Sequence, residues 1–157
     1  MQLRRATSAD QAFLLPLMRR YYDDDGLTFS DANAAAMTRL LTAPDAGCVW
    51  LIEASARLAG YIVLCFGYSL ELGGRDAYID EMFVERDLRG RGIARAALAA
   101  VIEEARSLDV RAIHLEVDTQ NEKAVRLYSA LEFRARDRYH LMTRMVNPPG
   151  SLPPPLR

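Results

Sequence analysis

The residues best suited to chemistry lie between Ile79 and Ala94. The run Ile79-Asp80-Glu81-Met82-Phe83-Val84-Glu85-Arg86-Asp87-Leu88-Arg89-Gly90-Arg91-Gly92-Ile93-Ala94 opens on two adjacent carboxylates. It closes on two glycines, one residue apart, set among arginines. Gly90 and Gly92 let the main chain approach a ligand and turn its N–H groups outward. A helix that starts directly afterwards has first-turn N–H groups with no intrahelical partner, and its dipole favours an anion. Arg89, Arg91 and Arg95 add positive charge. A diphosphate is the ligand these parts suit. Two other phosphate loops do not fit, since the segment contains neither GxxxxGK[ST] nor GxGxxG. The competing reading is an ordinary helix start with exposed arginines. An apolar run before the loop and a long amphipathic pattern after it weigh against that.

Other polar and aromatic groups are more ambiguous. Tyr21-Tyr22-Asp23-Asp24-Asp25 joins aromatic faces to carboxylates, a combination that attracts ammonium groups. Tyr128 shares core-face spacing with Ala124 and Leu131. Cys48 and Cys65 form no CxxC pair and match no metal-ligand spacing, which fits a reducing, cytoplasmic setting. Cys65 in its β-rich run reads as packing rather than as a nucleophile. His114 and His140 are isolated and read as structural, and no metal site is expected.

Composition limits the remaining possibilities. The chain has 157 residues, a net charge of −1, and is 50% hydrophobic and 26% charged. That length suggests one domain, and the composition excludes disorder and collagen. Near-neutral charge argues against nucleic-acid and acidic-membrane binding. No run approaches the ~18 apolar residues of a membrane helix, and the first residues predict no secretory leader. Residues 1–146 read as the domain. Residues 147–157, with five prolines, read as a loose tail or a proline-rich ligand.

The elements that must position these groups follow from periodicity. Leu3 to Ala6 reads as a first strand. A helix capped by Thr7 or Ser8 runs to about Tyr22, and Asp23 to Gly26 end it. A second helix, capped by Ser30 or Asp31, runs to about Leu41. Val49–Ile52 and Gly60–Tyr68 form a hairpin, and Ala77–Val84 is a third strand. Helical spacing returns from Gly92 to Leu108. Ile113–Val117 is a strand, Asn121 caps a helix to about Leu131, and Tyr139–Val146 closes the chain as a strand. This order gives a mixed sheet flanked by helices.

Arg89-Gly90-Arg91-Gly92-Ile93-Ala94 resembles the R/Q-x-x-G-x-G/A signature of the GNAT acetyltransferases, and it sits where that family carries it. Asn121-Glu122-Lys123-Ala124-Val125-Arg126-Leu127-Tyr128, followed by Leu131-Glu132-Phe133, resembles the family's N-x-x-A-x-x-x-Y segment. Glu132 stands where glycine is common. The resemblance covers residues 2–146. It implies an α/β (α+β) fold with a mixed, mostly antiparallel sheet of six to seven strands and about four helices. It also implies acetyl-CoA as cofactor. Met82, Phe83 and Val84 would pair with the pantetheine arm, and the Met82 N–H would be an oxyanion donor. Arg89, Gly90, Arg91, Gly92, Ile93, Ala94 and Arg95 would hold the pyrophosphate. Asn121 and Ala124 would lie beside the far part of the arm, and Tyr128 near the sulfur. Dimers are common in the family.

Acetyl transfer to an amine then raises two proton problems. An alkyl amine of pKa ~10.4 is neutral at pH 7 about once in 10³ molecules, so presenting the free base costs about 4–5 kcal/mol. Asp80 or Glu81 can accept that proton, with a slight preference for Asp80. Strand alternation predicts that one of the two faces the acceptor. Tyr128 can protonate the departing thiolate. Tyr21, Tyr22, Asp23 and Asp24 are the acceptor-site candidates. With the segment around Asp80, they resemble the diamine N-acetyltransferases. The expected acceptor is a small cationic amine of polyamine, aminoglycoside or lysine type, or a protein lysine or N-terminus. The alternatives are a CoA-binding GNAT-fold sensor without turnover, and a phosphate-ligand domain outside the family.

Overall fold

A computed structural model describes residues 1–146; the proline-rich segment 147–157 lies outside the described residues. Nine elements follow one another: β1 (Gln2–Arg5), α1 (Gln11–Asp25), α2 (Asp31–Leu40), β2 (Gly47–Ala54), β3 (Arg57–Ser69), β4 (Gly74–Val84), α3 (Ile93–Ser107), β5 (Ile113–His114) and α4 (Glu122–Ser129). Short 3-10 turns precede α1 at Ser8–Asp10 and α3 at Arg86–Leu88. The strands form one mixed sheet in the order β1-β2-β3-β4-β5, antiparallel throughout except for the parallel β4–β5 pair.

The sheet separates two apolar layers, and β2 shows why. Cys48, Trp50 and Ile52 pack towards α3, with Leu98 and Val101. Val49 and Leu51 pack towards α1 and α2, with Leu14, Leu17, Met18 and Met37. This is the two-residue period of a strand buried on both faces. The β2–β3 hairpin closes on Ser55 and Ala56, both with positive φ (54° and 58°), as a two-residue hairpin turn requires. Gly26, at φ 67°, ends α1.

The six or seven expected strands are corrected to five among the described residues. Ile113–Val117 pairs with β4 only at Ile113 and His114. Tyr139–Val146 forms no strand, and Tyr139, Leu141, Met142, Met145 and Val146 are exposed. Side-chain alternation suggests strands in these runs, but a strand also needs a ladder partner; among the described residues Tyr139–Val146 meets none, and Ile113–Val117 meets one only at its first two residues. Among the described residues no helix is long and apolar enough to cross a membrane. Both cysteines are free, and no cluster of metal-ligating side chains occurs there.

Asp10 joins β1 to the start of α1. It accepts two hydrogen bonds from the Arg4 guanidinium at 2.9 and 3.0 Å and one from the Thr7 N–H at 2.8 Å. Arg4 first, and Thr7 after it, hold its carboxyl down at about 2. A depressed carboxyl stabilises the fold above its unfolded value of ~3.9, and that contribution fades as pH falls towards 2. Asp10→Asn should therefore cost about 1 kcal/mol at pH 7, lowering Tm by roughly 2–4 °C, a modest figure because Arg4 is partly exposed. Thermal melts should show the two proteins converging as pH approaches 2. A gap as wide at pH 2.5 as at pH 7 would contradict the assignment.

Candidate active site

The site is organised by an irregularity in β4. Leu64 of β3 pairs with Ile79 and Val63 pairs with Glu81, so Asp80 is an extra residue without a ladder partner. Such a bulge interrupts strand alternation. Ala77 and Ile79 pack towards α3, but beyond the bulge it is Met82 and Val84 that do so, while Phe83 packs towards α1. Asp80 and Glu81 consequently face the same side. Both act on the hydroxyls of Tyr21 and Tyr22 in α1 and on the Cys65 thiol in β3. The expected alternation, which would turn the two acids to opposite sides of the strand, is corrected: the bulge turns both to the α1 side.

The two carboxylates differ in their surroundings. Glu81 is 8% exposed and accepts a hydrogen bond from Tyr61 Oη at 2.8 Å. Burial pushes its carboxyl up, against the hydroxyls of Tyr61 and Tyr22, which hold it down. Asp80 is reached by solvent, yet the surrounding protein is dense enough that desolvation raises its carboxyl too. No hydrogen bond or ion pair engages the Asp80 side chain among the described residues. Tyr21, Tyr22, Tyr61, Phe29 and Phe83 form a connected aromatic cluster, with ring centroids 5.3–6.5 Å apart, on this side of the sheet. Desolvation pushes the Cys65 thiol up to about 11, leaving almost no thiolate at neutral pH and no nucleophile there.

Beyond Tyr78, β4 has no strand partner on the side away from β3 among the described residues. The Glu85 N–H bonds to Ala59 O of β3. Alternation then turns the main-chain groups of Met82 and Val84 to the open edge. Arg89 Nε donates to Val84 O at 2.7 Å. The Met82 amide and carbonyl and the Val84 amide remain for an extended ligand lying along that edge.

The glycine loop follows. Gly90 and Gly92 both have φ 75°, and a Cβ at either would meet no protein atom within 4 Å. Gly92 caps α3 with no side-chain bond, and Ala96 N–H bonds back to Gly92 O. The N–H groups of Ile93, Ala94 and Arg95 therefore face outward at the positive end of a 15-residue helix. The exposed Arg89, Arg91 and Arg95 surround them.

Other candidate residues fall elsewhere. Asp24 does not join the acids. Its oxygens meet Arg86 at 2.6 Å and Arg89 at 2.5 Å, and these pairs, Arg86 foremost, lower its carboxyl. With Arg20–Glu85 at 2.7 Å, it ties the end of α1 to the glycine loop. The carboxylate of Asp24, an expected acceptor-site group, is thus already paired with two arginines. Asp23 is exposed beside this clamp. Asn121 caps α4, its Oδ1 accepting from the Ala124 N–H at 3.1 Å. Tyr128 packs edge-on against Phe133, and burial raises its hydroxyl. It lines a cavity of about 550 Å³ between α3, α4 and the chain around β5. None of that cavity's lining residues comes from α1, α2 or β4, so it is separate from the acids. Tyr61, Phe29 and Asn33 were missed by sequence reasoning. Tyr61 becomes visible only through the ladder register, which places it opposite Phe83.

A family model for the acetyltransferase (GNAT) family matches residues 14–133. The chain belongs to the GNAT acetyltransferase family. It is 30% identical over 98 residues to an uncharacterized N-acetyltransferase of Methanocaldococcus jannaschii, covering 62% of this chain but 43% of that protein. The chain thus spans less than half the length of that relative. Among solved structures, an integron cassette protein from the mobile metagenome of Cole Harbour Salt Marsh superposes with TM-score 0.83 at 34% identity, over 94% of this chain and 92% of that one. A predicted acetyltransferase of Clostridium acetobutylicum, crystallised with acetyl-CoA, shares the fold with TM-score 0.74 at 21% identity, over 90% and 95% of the two chains. In this GNAT chain, the free β4 edge and the glycine loop fit an extended coenzyme ending in a diphosphate.

Proposed function

We propose that this GNAT protein transfers an acetyl group from acetyl-CoA to the amine of a small cationic acceptor of polyamine, aminoglycoside or lysine type. The observation that carries this reading is the bulge at Asp80. It sets an open carboxylate and a buried, phenol-bound carboxylate side by side next to an aromatic cluster and the edge of β4 that no strand covers among the described residues. Acetyl-CoA, when bound, supplies the activated acyl thioester. The open main-chain groups of Met82 and Val84 would hold its arm as an added strand, with the Met82 N–H as donor to the carbonyl oxygen. The amides from Gly90 to Arg95 would hold the diphosphate. Asn121 and Ala124 would flank the arm, and the Tyr128 hydroxyl would serve the departing sulfur.

Asp80 takes the proton of the incoming ammonium. It is unengaged, and desolvation raises its carboxyl towards the range of an effective base. Glu81 and the faces of Tyr21 and Tyr22 receive the positive charge. No covalent acyl-enzyme is required, because the free amine can attack the thioester directly. A CoA-binding module without turnover would have no use for the open carboxylate.

An acceptor panel tests the reading. Polyamines, aminoglycosides and lysine derivatives should exceed neutral and acidic amines by at least tenfold in kcat/KM, about 1.4 kcal/mol of discrimination. Preference for neutral or acidic amines would remove it.

A further inference from the structure

Asp24 stands where local preference disfavours it. Helix α1 ends on Asp23-Asp24-Asp25 with no basic residue in its last turn, although the C-terminal end of a helix favours cations. The compensation comes from across the fold. Asp24 Oδ1 accepts from Arg86 Nε at 2.6 Å, and its Oδ2 accepts from the Arg89 guanidinium at 2.5 Å. Arg86 opens the 3-10 turn that leads into the glycine loop, and Arg89 directly follows that turn.

Arg89 is the last residue before Gly90, and its guanidinium is engaged on three sides. Nε donates to Val84 O at 2.7 Å, on the open edge of β4. A terminal nitrogen meets Asp24. Its Cζ stands 5.5 Å from the centre of the Phe83 ring. The loop beyond it carries two left-handed glycines, the residue type with the most backbone freedom to lose when a ligand fixes it. Anchoring the first residue of that loop in advance removes part of the ordering cost of binding. We infer that Asp24 is a positioning residue for the coenzyme loop: by holding Arg86 and Arg89 against the end of β4, it presets the path of the chain into Gly90 and Gly92 and so the amides that receive a diphosphate. Arg89 then serves as a brace for the loop rather than as a phosphate ligand. This deepens the coenzyme reading above and rests on it.

Titration calorimetry of CoA into the folded full chain tests this without turnover. Two roles for Asp24 predict opposite signs. As a mere negative charge near an anion site, its removal in Asp24→Asn would tighten CoA or leave it unchanged. As a positioning residue, its removal should raise Kd for CoA about fivefold. The effect should run through Arg89, so in an Arg89→Ala background the same Asp24→Asn change should alter Kd by less than about twofold. Arg89→Lys keeps the charge but not the planar fork that reaches Val84 O and Asp24 together. It should weaken CoA about as much as Asp24→Asn does. An Asp24→Asn protein that binds CoA as tightly as wild type or tighter would overturn the inference. So would an equal rise in Kd with and without Arg89, or a wild-type Kd in Arg89→Lys. Each of those results leaves the coenzyme reading standing, because wild-type protein still binds CoA. Wild-type protein that binds no CoA would remove that reading itself, and the inference with it.

Discussion

Gly92→Val is expected to abolish the stabilisation of the protein by CoA while leaving it folded. Gly92 holds φ 75° at the mouth of α3, where a Cβ meets no protein atom within 4 Å. The folding penalty is thus conformational, about 1–2 kcal/mol for a left-handed L-residue and somewhat more for a β-branched one. That corresponds to a fall in Tm of several degrees. The empty space in front of the Cβ is where the diphosphate must approach the amides of Ile93 to Arg95. A valine there blocks that approach and pulls the loop from its left-handed turn. Wild-type protein with CoA at a hundredfold excess over Kd should gain about 2.7 kcal/mol, and the variant close to nothing. A variant that keeps the full CoA-induced rise in Tm would show that the diphosphate sits elsewhere.

The second large effect concerns proton transfer. Asp80→Asn removes the open carboxylate without changing shape, and kcat at pH 7 should fall by roughly 10²–10³, the usual contribution of a general base. KM for acetyl-CoA should be unchanged, because Asp80 lies across the sheet from the α3-facing layer and makes no contact with the glycine loop. The pH dependence carries the sign. Desolvation by the surrounding protein raises the carboxyl of the solvent-reached Asp80, so the wild-type rate should climb with pH as the group loses its proton and becomes a base. The asparagine variant should lack this limb. Its deficit should narrow as pH approaches ~10, where the alkyl amine supplies its own free base. A kcat within twofold of wild type at pH 7 would remove Asp80 from the proton-transfer role and leave Glu81 as the remaining carboxylate.

These variants also mark where the sequence was readable. The loop from Arg89 to Arg95 could be interpreted residue by residue, because its parts are neighbours in the chain. The glycines provide left-handed backbone, and the helix that follows provides unpaired amides. Helix α3 was legible for the same reason, since its apolar face repeats within a few residues. The acids were legible as candidates but not as a pair. Their common orientation comes from one unpartnered residue in a ladder with β3. A bulge leaves no mark on residue types that strand alternation can detect. Asp24 was less legible. It sits in an acidic run that reads as one cation-binding patch, yet a helix turns adjacent residues to different sides, and Asp24 pairs with Arg86 and Arg89 while Tyr21 and Tyr22 join the aromatic cluster with Tyr61. The C-terminal strand failed because alternation describes what a strand would look like, not whether another strand is there to receive it.

By itself, then, the sequence determined the glycine loop, the helix behind it and the family, since each depends on contacts within a turn or two. Only the tertiary structure decided which way Asp80 and Glu81 face, that Tyr61 donates to one of them, and that Asp24 pairs with the arginines beside the loop. Those outcomes depend on ladder register and on side chains brought together from distant segments, where long-range packing rather than local preference sets the geometry.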